Sequence, residues 1–284
     1  MTSAFDALRA LLNRTSGLAL DAEKTYLAES RLQPMMQRLD LPDLDALVTR
    51  LLSGAHADLV REVVDAMTTN ETFFFRDRVP FDNFRKIILP NLLEARKDVR
   101  RIRIWCAACS TGQEPYSLAM LLDEDAQKLA GWHVEILATD LSYNAVNAAR
   151  EGLYSQFEVQ RGLPISLLLR YFRQEGERWR INEHLCSRIR FEVFNLLADY
   201  ADLGRFDVIF CRNVLIYFDV PTKRSVLDKM ARMIAPDGYL VMGAAETVVG
   251  LTNAFTPHEE HRSINVPRTA STPARSVPLR LVAG

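Results

Sequence analysis

The sequence predicts an α/β protein built on a doubly wound, mainly parallel sheet, with a small all-helical domain ahead of it and a small insertion within it. Three observations carry that prediction. Apolar residues recur at helical spacing from Phe5 to about Thr69, short β-rich apolar runs alternate with helical stretches after Arg101, and the alternation lapses once between Tyr154 and Arg188. A chain of 284 residues, 48% of them apolar, can bury one large core or two smaller ones at the usual domain size of roughly 100–200 residues.

In the first region "FDALRALL", "LDALVTRLL" and "LVREVVDAM" place apolar side chains on one helix face, and "SGLAL", "DLPDL" and "SGAHA" interrupt them. After Arg101, "RIRIWCAA", "VEILATD", "IRFEVF", "FDVIFC" and "GYLVMGA" read as strands, with helices at about 115–130, 142–151 and 221–234 between several of them. Near-continuous apolar strands alternating with helices imply a parallel sheet covered on both faces. Where the alternation lapses, "LPISLLLRYF" reads as a helix and "RWRIN" as a short strand, which makes this stretch an insertion. "TNAFTPHEEHRSINV" can supply a closing antiparallel hairpin, and the Pro/Ser/Thr-rich "PRTASTPARSVP" predicts a disordered tail over 268–284.

Composition narrows the partners. With 35 basic and 36 acidic residues the net charge is -1, so nothing in the overall charge points to nucleic acid and any electrostatic docking must come from a local patch. No apolar run approaches the roughly 18–20 residues of a membrane span, and Met1 to Asp6 opens no signal segment, so a cytoplasmic protein with no membrane insertion is expected. Cys106 and Cys109 have C-x-x-C spacing, but Cys186 and Cys211 have no Cys or His neighbour at ligand spacing. No metal is therefore predicted, and buried small side chains are preferred over metal or redox use.

In an open parallel sheet, ligands sit outside the carboxyl ends of the strands. Here those ends are polar: "CSTGQEP" after the first strand, Thr139-Asp140 after the second, Asn195 after "FEVF", and Cys211 to Asn213. The first turn is not G-x-G-x-x-G, and Glu114 would face a pyrophosphate placed at the helix N-terminus. A nucleoside with positive charge and an amino group fits better, and S-adenosylmethionine is such a molecule. The alternative for Glu114 is a helix-terminal acid complementing the dipole.

Five blocks, "TNETFFFRD" (69–77), "WCAACSTGQEPYSLAM" (105–120), "ATDLS" (138–142), "FDVIFCRNVLIYFD" (206–219) and "DGYLVMGAAE" (237–246), occur in this order. In them the chain resembles the chemotaxis receptor methyltransferases of the CheR type, over roughly residues 5–267. The resemblance implies transfer of methyl from S-adenosylmethionine to glutamate side chains of bacterial chemoreceptors. It implies a helical domain over 1–69 that docks the receptor, a linker over 70–90, and a Rossmann-like methyltransferase domain over 91–267 with a β-subdomain inserted at about 156–190. By position it assigns cofactor contacts to Asn70, Thr72, Arg76, Glu114, Asp140, Asn195, Leu196, Arg212 and Asn213. Asp140 then takes the ribose, Asn195-Leu196 lies near adenine, and Arg76 and Tyr217 lie nearest the transferred methyl. "GAAET" (243–247) departs from the His and Ser that some relatives carry there.

A glutamate carboxylate, with a reference pKa of about 4.3, is already a nucleophile at neutral pH, so the site needs positioning rather than a general base. Arg76 suits that task because its fork grips a carboxylate and stays charged, and Tyr217 is assigned a hydroxyl contact near the reacting atoms. The alternatives are a surface salt bridge of Arg76 with Asp77 or Glu71, and a core role for Tyr217. Phe73, Phe74 and Phe75 can pack the core or seal the pocket.

For the partner, Lys24, Arg31 and Arg38 recur at seven-residue spacing on one helix face, a docking surface for an acidic receptor coiled coil or simply a solvated face. In some relatives the inserted β-subdomain tethers a receptor C-terminal peptide. A monomer is expected. The rivals are a same-fold methyltransferase acting on a small molecule or RNA, and a non-catalytic receptor-binding adaptor.

Overall fold

The computed structural model describes residues 3–54 and 57–268. Four helices come first: α1 (Ala4–Ser16), α2 (Thr25–Arg38), α3 (Leu44–Leu52) and α4 (Ala57–Met67). Ser3 and Asp43 cap α1 and α3 by accepting the amides of Asp6 and Ala46, and Gly17 ends α1 in the left-handed region at φ 79°. The apolar faces read from the sequence meet in one core around Leu8, Leu12, Ala28, Leu32, Leu47 and Val63.

The segment after α4 is irregular only as far as Arg78. From there α5 (Val79–Asn83), a π-helical turn (Phe84–Ile88) and α6 (Leu89–Ala95) follow one another without a break, so the second half of the 70–90 linker is helical. The alternation then begins with β1 (Arg101–Ala107), α7 (Gln113–Glu124), β2 (His133–Asp140) and α8 (Tyr143–Glu151). The insertion comprises β3 (Leu153–Ser155), α9 (Gln156–Gln160), α10 (Ile165–Tyr171), β4 (Phe172–Glu175), β5 (Arg178–Ile181) and α11 (Glu183–Cys186). Last come β6 (Ile189–Val193), β7 (Phe206–Cys211), α12 (Val220–Met233), β8 (Ile234–Met242), β9 (Phe255–Pro257) and β10 (Ile264–Pro267).

The main sheet runs β6-β2-β1-β7-β8-β10-β9. Its first five strands are parallel, and the predicted hairpin closes the edge as β9 and β10, with β10 antiparallel to both β8 and β9. Alternate residues of β1 enter different cores: Ile102, Ile104 and Cys106 pack with Leu118 and Phe210, whereas Trp105 and Ala107 pack with Leu137, Ile209 and Leu227. The chain steps outward from β1 to β2 and β6, then returns to β7 on the other side of β1. That order puts the switch point, where ligands bind in such sheets, at the carboxyl ends of β1 and β7.

Three boundaries differ from the sequence reading. Helix α7 stops at Glu124, short of 130, and Asp125 just beyond it is held by Arg85 at 2.9 Å and Lys128 at 2.8 Å. The insertion starts at Leu153 because β3 follows directly on the α8 cap Gly152 and pairs with β5; its sheet order is β3-β5-β4. Ile189 and Arg190, inside the approximate 156–190 bounds that the resemblance implied for the insertion, belong to β6 of the main sheet, where the strand read from "IRFEVF" has them. The tail expectation falls, after Arg268, outside the described residues. Among those residues no helix is long and apolar enough to cross a membrane.

Candidate active site

The turn after β1 is built to face a ligand. The amides of Ala108 and Cys109 both donate to the Thr139 carbonyl, at 2.9 and 2.8 Å, which locks this turn to the end of β2. The next amide, of Ser110, donates to Asp140 Oδ2 at 2.7 Å, and the Ser142 amide donates to Oδ1 at 2.9 Å. Asp140 is thereby fixed at the strand end. Burial pushes its carboxyl up from the ordinary range, and the amides of Ser142 and Ser110 pull it back in part. The thiols of Cys106 and Cys109 are buried and pushed well up, chiefly by burial.

Glu114, in the first turn of α7, is also buried. Its Oε2 accepts from Arg212 Nη1 at 2.8 Å, and Arg212 Nη2 donates to Asp77 Oδ2 at 2.9 Å and to the Arg76 carbonyl at 2.7 Å. Burial pushes the Glu114 carboxyl up, opposed by the charge and hydrogen bond of Arg212. One buried cation thus serves two carboxylates, which leaves this floor of the cleft with a net negative charge.

All ten residues singled out from the sequence line one cleft. Asn70, Thr72 and Arg76 come from the irregular segment after α4, Glu114 and Asp140 from the ends of β1 and β2, Asn195 and Leu196 from beyond β6, and Arg212, Asn213 and Tyr217 from beyond β7. The Asn70 carbonyl accepts from the Ser110 hydroxyl at 2.8 Å, joining the irregular segment to the β1 turn. Apolar side chains of Leu18, Leu141, Phe194, Val214 and Phe218 wall the remainder. Backbone strain collects here as well: of the eight non-glycine residues with positive φ among the described residues, six (Phe75, Asp77, Arg78, Ala108, Ser110 and Asn213) lie in or beside segments that line the cleft.

Arg76 and Tyr217 both border the cleft, and Tyr217 also packs against the core around Trp105 and Leu215. Arg76 donates to the Glu71 carbonyl at 2.8 Å, but among the described residues it makes no ion pair, because the Asp77 carboxylate is taken by Arg212 and that of Glu71 by Arg161. Tyr217 is half-buried at the cleft edge. Its carbonyl accepts from the Ala19 amide at 2.8 Å, and among the described residues its hydroxyl makes no hydrogen bond. Phe74 and Phe75 are buried in the core, and Phe73 stays half-exposed at the rim.

Sequence reading missed three contributors. Glu246, within "GAAET", gathers four backbone amides: those of Asn213 and Gly243 on Oε2 at 2.7 and 2.9 Å, and those of Val214 and Leu215 on Oε1 at 3.0 and 2.8 Å. It therefore sets the loop that carries Asn213 and Tyr217. Lys229 Nζ does the same for the loop after β6, donating to the carbonyls of Leu196, Leu197 and Ala198, each at 2.9 Å. The helical domain forms part of the cleft wall through Ser16 and Leu18, and Asn195 Nδ2 reaches the Thr15 carbonyl at 2.7 Å. The Glu246→Gln variant, which puts a donor where two amides need an acceptor, is expected to lose about 2 kcal/mol of stability and to weaken ligand binding in the cleft. Urea melts and calorimetry read the two effects, and an unchanged melt would mean the clamp is dispensable.

The profile described as "CheR methyltransferase, SAM binding domain" matches residues 70–264, and that described as "CheR methyltransferase, all-alpha domain" matches residues 3–68. The chain belongs to the CheR methyltransferase family. Among relatives, it is 43% identical over 255 residues to "Chemotaxis protein methyltransferase 1" of Pseudomonas aeruginosa, covering 88% of this chain and 92% of that one. It is 40% identical over 255 residues, with the same shares, to "Chemotaxis protein methyltransferase Cher2" of Pseudomonas putida. The "Chemotaxis protein methyltransferase 1" of Vibrio cholerae is 41% identical over 247 residues, 86% of this chain and 89% of that one.

As a CheR methyltransferase, the protein uses S-adenosylmethionine, and the donor set of the cleft fits it. Two buried carboxylates at neighbouring strand ends suit a ligand with an ammonium, a sulfonium and ribose hydroxyls, and the apolar wall suits a purine. The CheR surface is less open than its sequence suggests. Arg31 donates to the carbonyls of Met67 and Thr68, at 2.7 and 3.1 Å, and so holds the end of α4. Lys24 pairs with Asp21 at 2.7 Å and Arg38 pairs with Glu62, yet both side chains stay about half exposed.

Proposed function

We propose that this CheR methyltransferase transfers the methyl group of S-adenosylmethionine to glutamate side-chain carboxylates of bacterial chemoreceptors, giving glutamate methyl esters and S-adenosylhomocysteine in sensory adaptation. The observation that carries this reading is Arg76, a guanidinium at the cleft edge with no carboxylate of its own among the described residues, beside a floor that is acidic. Such a cleft takes the cationic cofactor on its floor and an anionic side chain at its rim. The chemotaxis names of the relatives support the choice of receptor.

Bound in the cleft, S-adenosylmethionine supplies a methyl group on a positively charged sulfur. Asp140 accepts from the ribose hydroxyls with lone pairs its two amide bonds leave over, Glu114 faces the ammonium, and Asn70 and Thr72 add polar contacts from the irregular segment. Asn195 and Leu196 border the adenine with Phe194, and Asn213 closes the opposite side. Arg212 keeps Glu114 ionised in its buried position. Arg76 orients one oxygen of the incoming carboxylate in line with the methyl–sulfur bond, a positioning effect whose upper range is about 7–11 kcal/mol. The carboxylate that Arg76 would hold becomes a neutral ester on accepting the methyl group that the cofactor would supply, so these residues have only to position it. No proton moves, and Tyr217 contributes only its hydroxyl contact beside the reacting atoms.

The raised carboxyls of Asp140 and Glu114 set a pH dependence. Both act ionised, and burial makes each hold its proton at a higher pH than an exposed carboxyl would. Over a pH series from neutral to mildly acidic, cofactor affinity should therefore fall before the ordinary carboxylate range near 4 is reached. Calorimetry across that range checks it; Asp140→Asn should bind weakly and flatten part of the slope.

For the receptor, we propose the face of α2 near Lys24 and Arg38, with Arg31 acting from beneath as a support, and the β3-β5-β4 sheet as a place where a receptor C-terminal peptide can add a strand. The deciding experiment incubates the protein with methyl-labelled cofactor and receptor-containing membranes. Label that enters protein and leaves as methanol in mild alkali supports glutamate esters. Label in RNA, in a small molecule or nowhere overturns the reading.

A further inference from the structure

Arg76 sits in a strained turn whose backbone is tied down on both sides. Its neighbours Phe75 and Asp77 have φ of 51° and 68°, and Arg78 has 50°. Residues other than glycine avoid this left-handed region because Cβ crowds the following carbonyl oxygen, so such a turn persists only where its surroundings hold it. After Arg76 the hold is the buried cation: Arg212 Nη2 donates to the Arg76 carbonyl at 2.7 Å and to Asp77 Oδ2 at 2.9 Å. Before Arg76 the hold is Ser117, whose Oγ accepts from the Phe75 amide at 2.9 Å.

Ser117 lies within "WCAACSTGQEPYSLAM" and is fully buried in α7. Its Oγ donates to the Gln113 carbonyl at 2.6 Å, one turn back along the helix. A hydroxyl has one proton, so with that proton engaged the oxygen is left to accept from Phe75. Inside a helix a serine bonded back in this way is neutral to slightly destabilising, so what the hydroxyl stabilises is the Phe75 segment rather than α7. The turn of α7 that starts at Gln113 also carries Glu114 on the cleft floor, and Arg212 spans from Glu114 to the Arg76 carbonyl. Both tethers therefore set Arg76 against the same end of the same helix.

We propose that Ser117 is a positioning residue for methyl transfer: by holding the Phe75 amide it fixes the turn that aims the Arg76 guanidinium. The proposal rests on the reading of Arg76 as the holder of the target carboxylate. Ser117 is not among the residues that line the cleft, so it acts only through the chain it holds. Without its oxygen the Phe75 amide is buried with no acceptor. The turn then relieves both that loss and its own strain by shifting, and Arg76 moves with it.

The test compares Ser117→Ala, Arg76→Ala and the double variant on a purified cytoplasmic fragment of a chemoreceptor. Ala119→Gly serves as a control, because Ala119 is also fully buried in α7 and its loss weakens the helix while leaving the Phe75 hydrogen bond in place. Ser117→Ala should lower kcat about tenfold, with KM for the fragment and cofactor affinity by calorimetry within about twofold of wild type. In the Arg76→Ala background the same change should cost no further turnover, since no guanidinium is left to aim. Ala119→Gly should lower the melting temperature and keep the wild-type kcat. Wild-type kcat in Ser117→Ala, a further loss of similar size in the Arg76→Ala background, a loss of cofactor affinity as large as the loss of kcat, or an equal fall of kcat in Ala119→Gly would each overturn the proposal. Wild-type kcat in Arg76→Ala would instead bring down the reading of Arg76 beneath it.

Discussion

Arg76→Ala is expected to lower turnover about a hundredfold or more while the protein melts as the wild type does. The fold should survive because the contact Arg76 makes to the rest of the sheet domain is through its backbone: its carbonyl accepts from Arg212 at 2.7 Å, and alanine keeps that carbonyl. What is lost is a side chain bonded to the Glu71 carbonyl and resting on Phe73, both at the rim. Without the fork, a substrate carboxylate retains its charge but not its direction, and a misplacement of about 1 Å can cost on the order of a hundredfold in rate. The grip must also be moderate, because the carboxylate gives up its charge in the reaction and tight binding of the charged ground state would slow it. Arg76→Lys, which offers a point charge in place of the fork, should fall between the two. Single-turnover rates with saturating cofactor measure the effect, and wild-type turnover in Arg76→Ala would remove Arg76 from the reaction.

Arg212→Met should produce the largest loss of stability, about 3–5 kcal/mol, because it strips the partner from a buried carboxylate. The Arg212 side chain is 2% exposed and bridges Glu114, Asp77 and the Arg76 carbonyl, so its removal leaves a buried carboxylate without its partner. For a chain of this length the deficit corresponds to a fall of roughly 10 °C in the melting temperature. Its pH dependence has a definite sign. Glu114 already holds its proton more tightly folded than unfolded, and loss of Arg212 strengthens that hold. Ionisation of Glu114 therefore penalises the folded chain above its folded pKa, and the penalty is relieved as pH falls below it. The variant should consequently lie closest to wild type in mild acid, and Glu114→Gln in the same background should restore part of the loss at neutral pH. Thermal melts at two pH values decide it; a variant as stable as wild type at neutral pH would show the ion pair to be unimportant.

Much of the cleft was legible because a parallel strand buried on both faces is apolar until it ends, and the first polar residues after it mark its carboxyl edge. Asp140, Asn195 and Arg212-Asn213 stand out for that reason. Arg76, Asn70 and Thr72 carried no such signal and came from the family resemblance in "TNETFFFRD" alone. Glu246 was invisible because its role exists only across space: the amides it gathers include those of residues 213–215, more than thirty positions earlier in the chain. Nor did helical spacing reveal that Arg31 is committed to the end of α4, since periodicity fixes which face a side chain shares and not what lies against that face. The insertion's first strand went unread because Leu153–Ser155 is three residues long and starts where a helix cap ends, too short for alternation to register.

The main-chain clasp between Ala19 and Tyr217, with the neighbouring bridge of Leu18 to Phe218, fastens the helical bundle to the stretch of chain that bears the tyrosine. Ser16 and Leu18 complete the wall of the same cleft. A sheet domain deprived of the bundle would therefore lose both a side of its pocket and an anchor of the loop beyond β7.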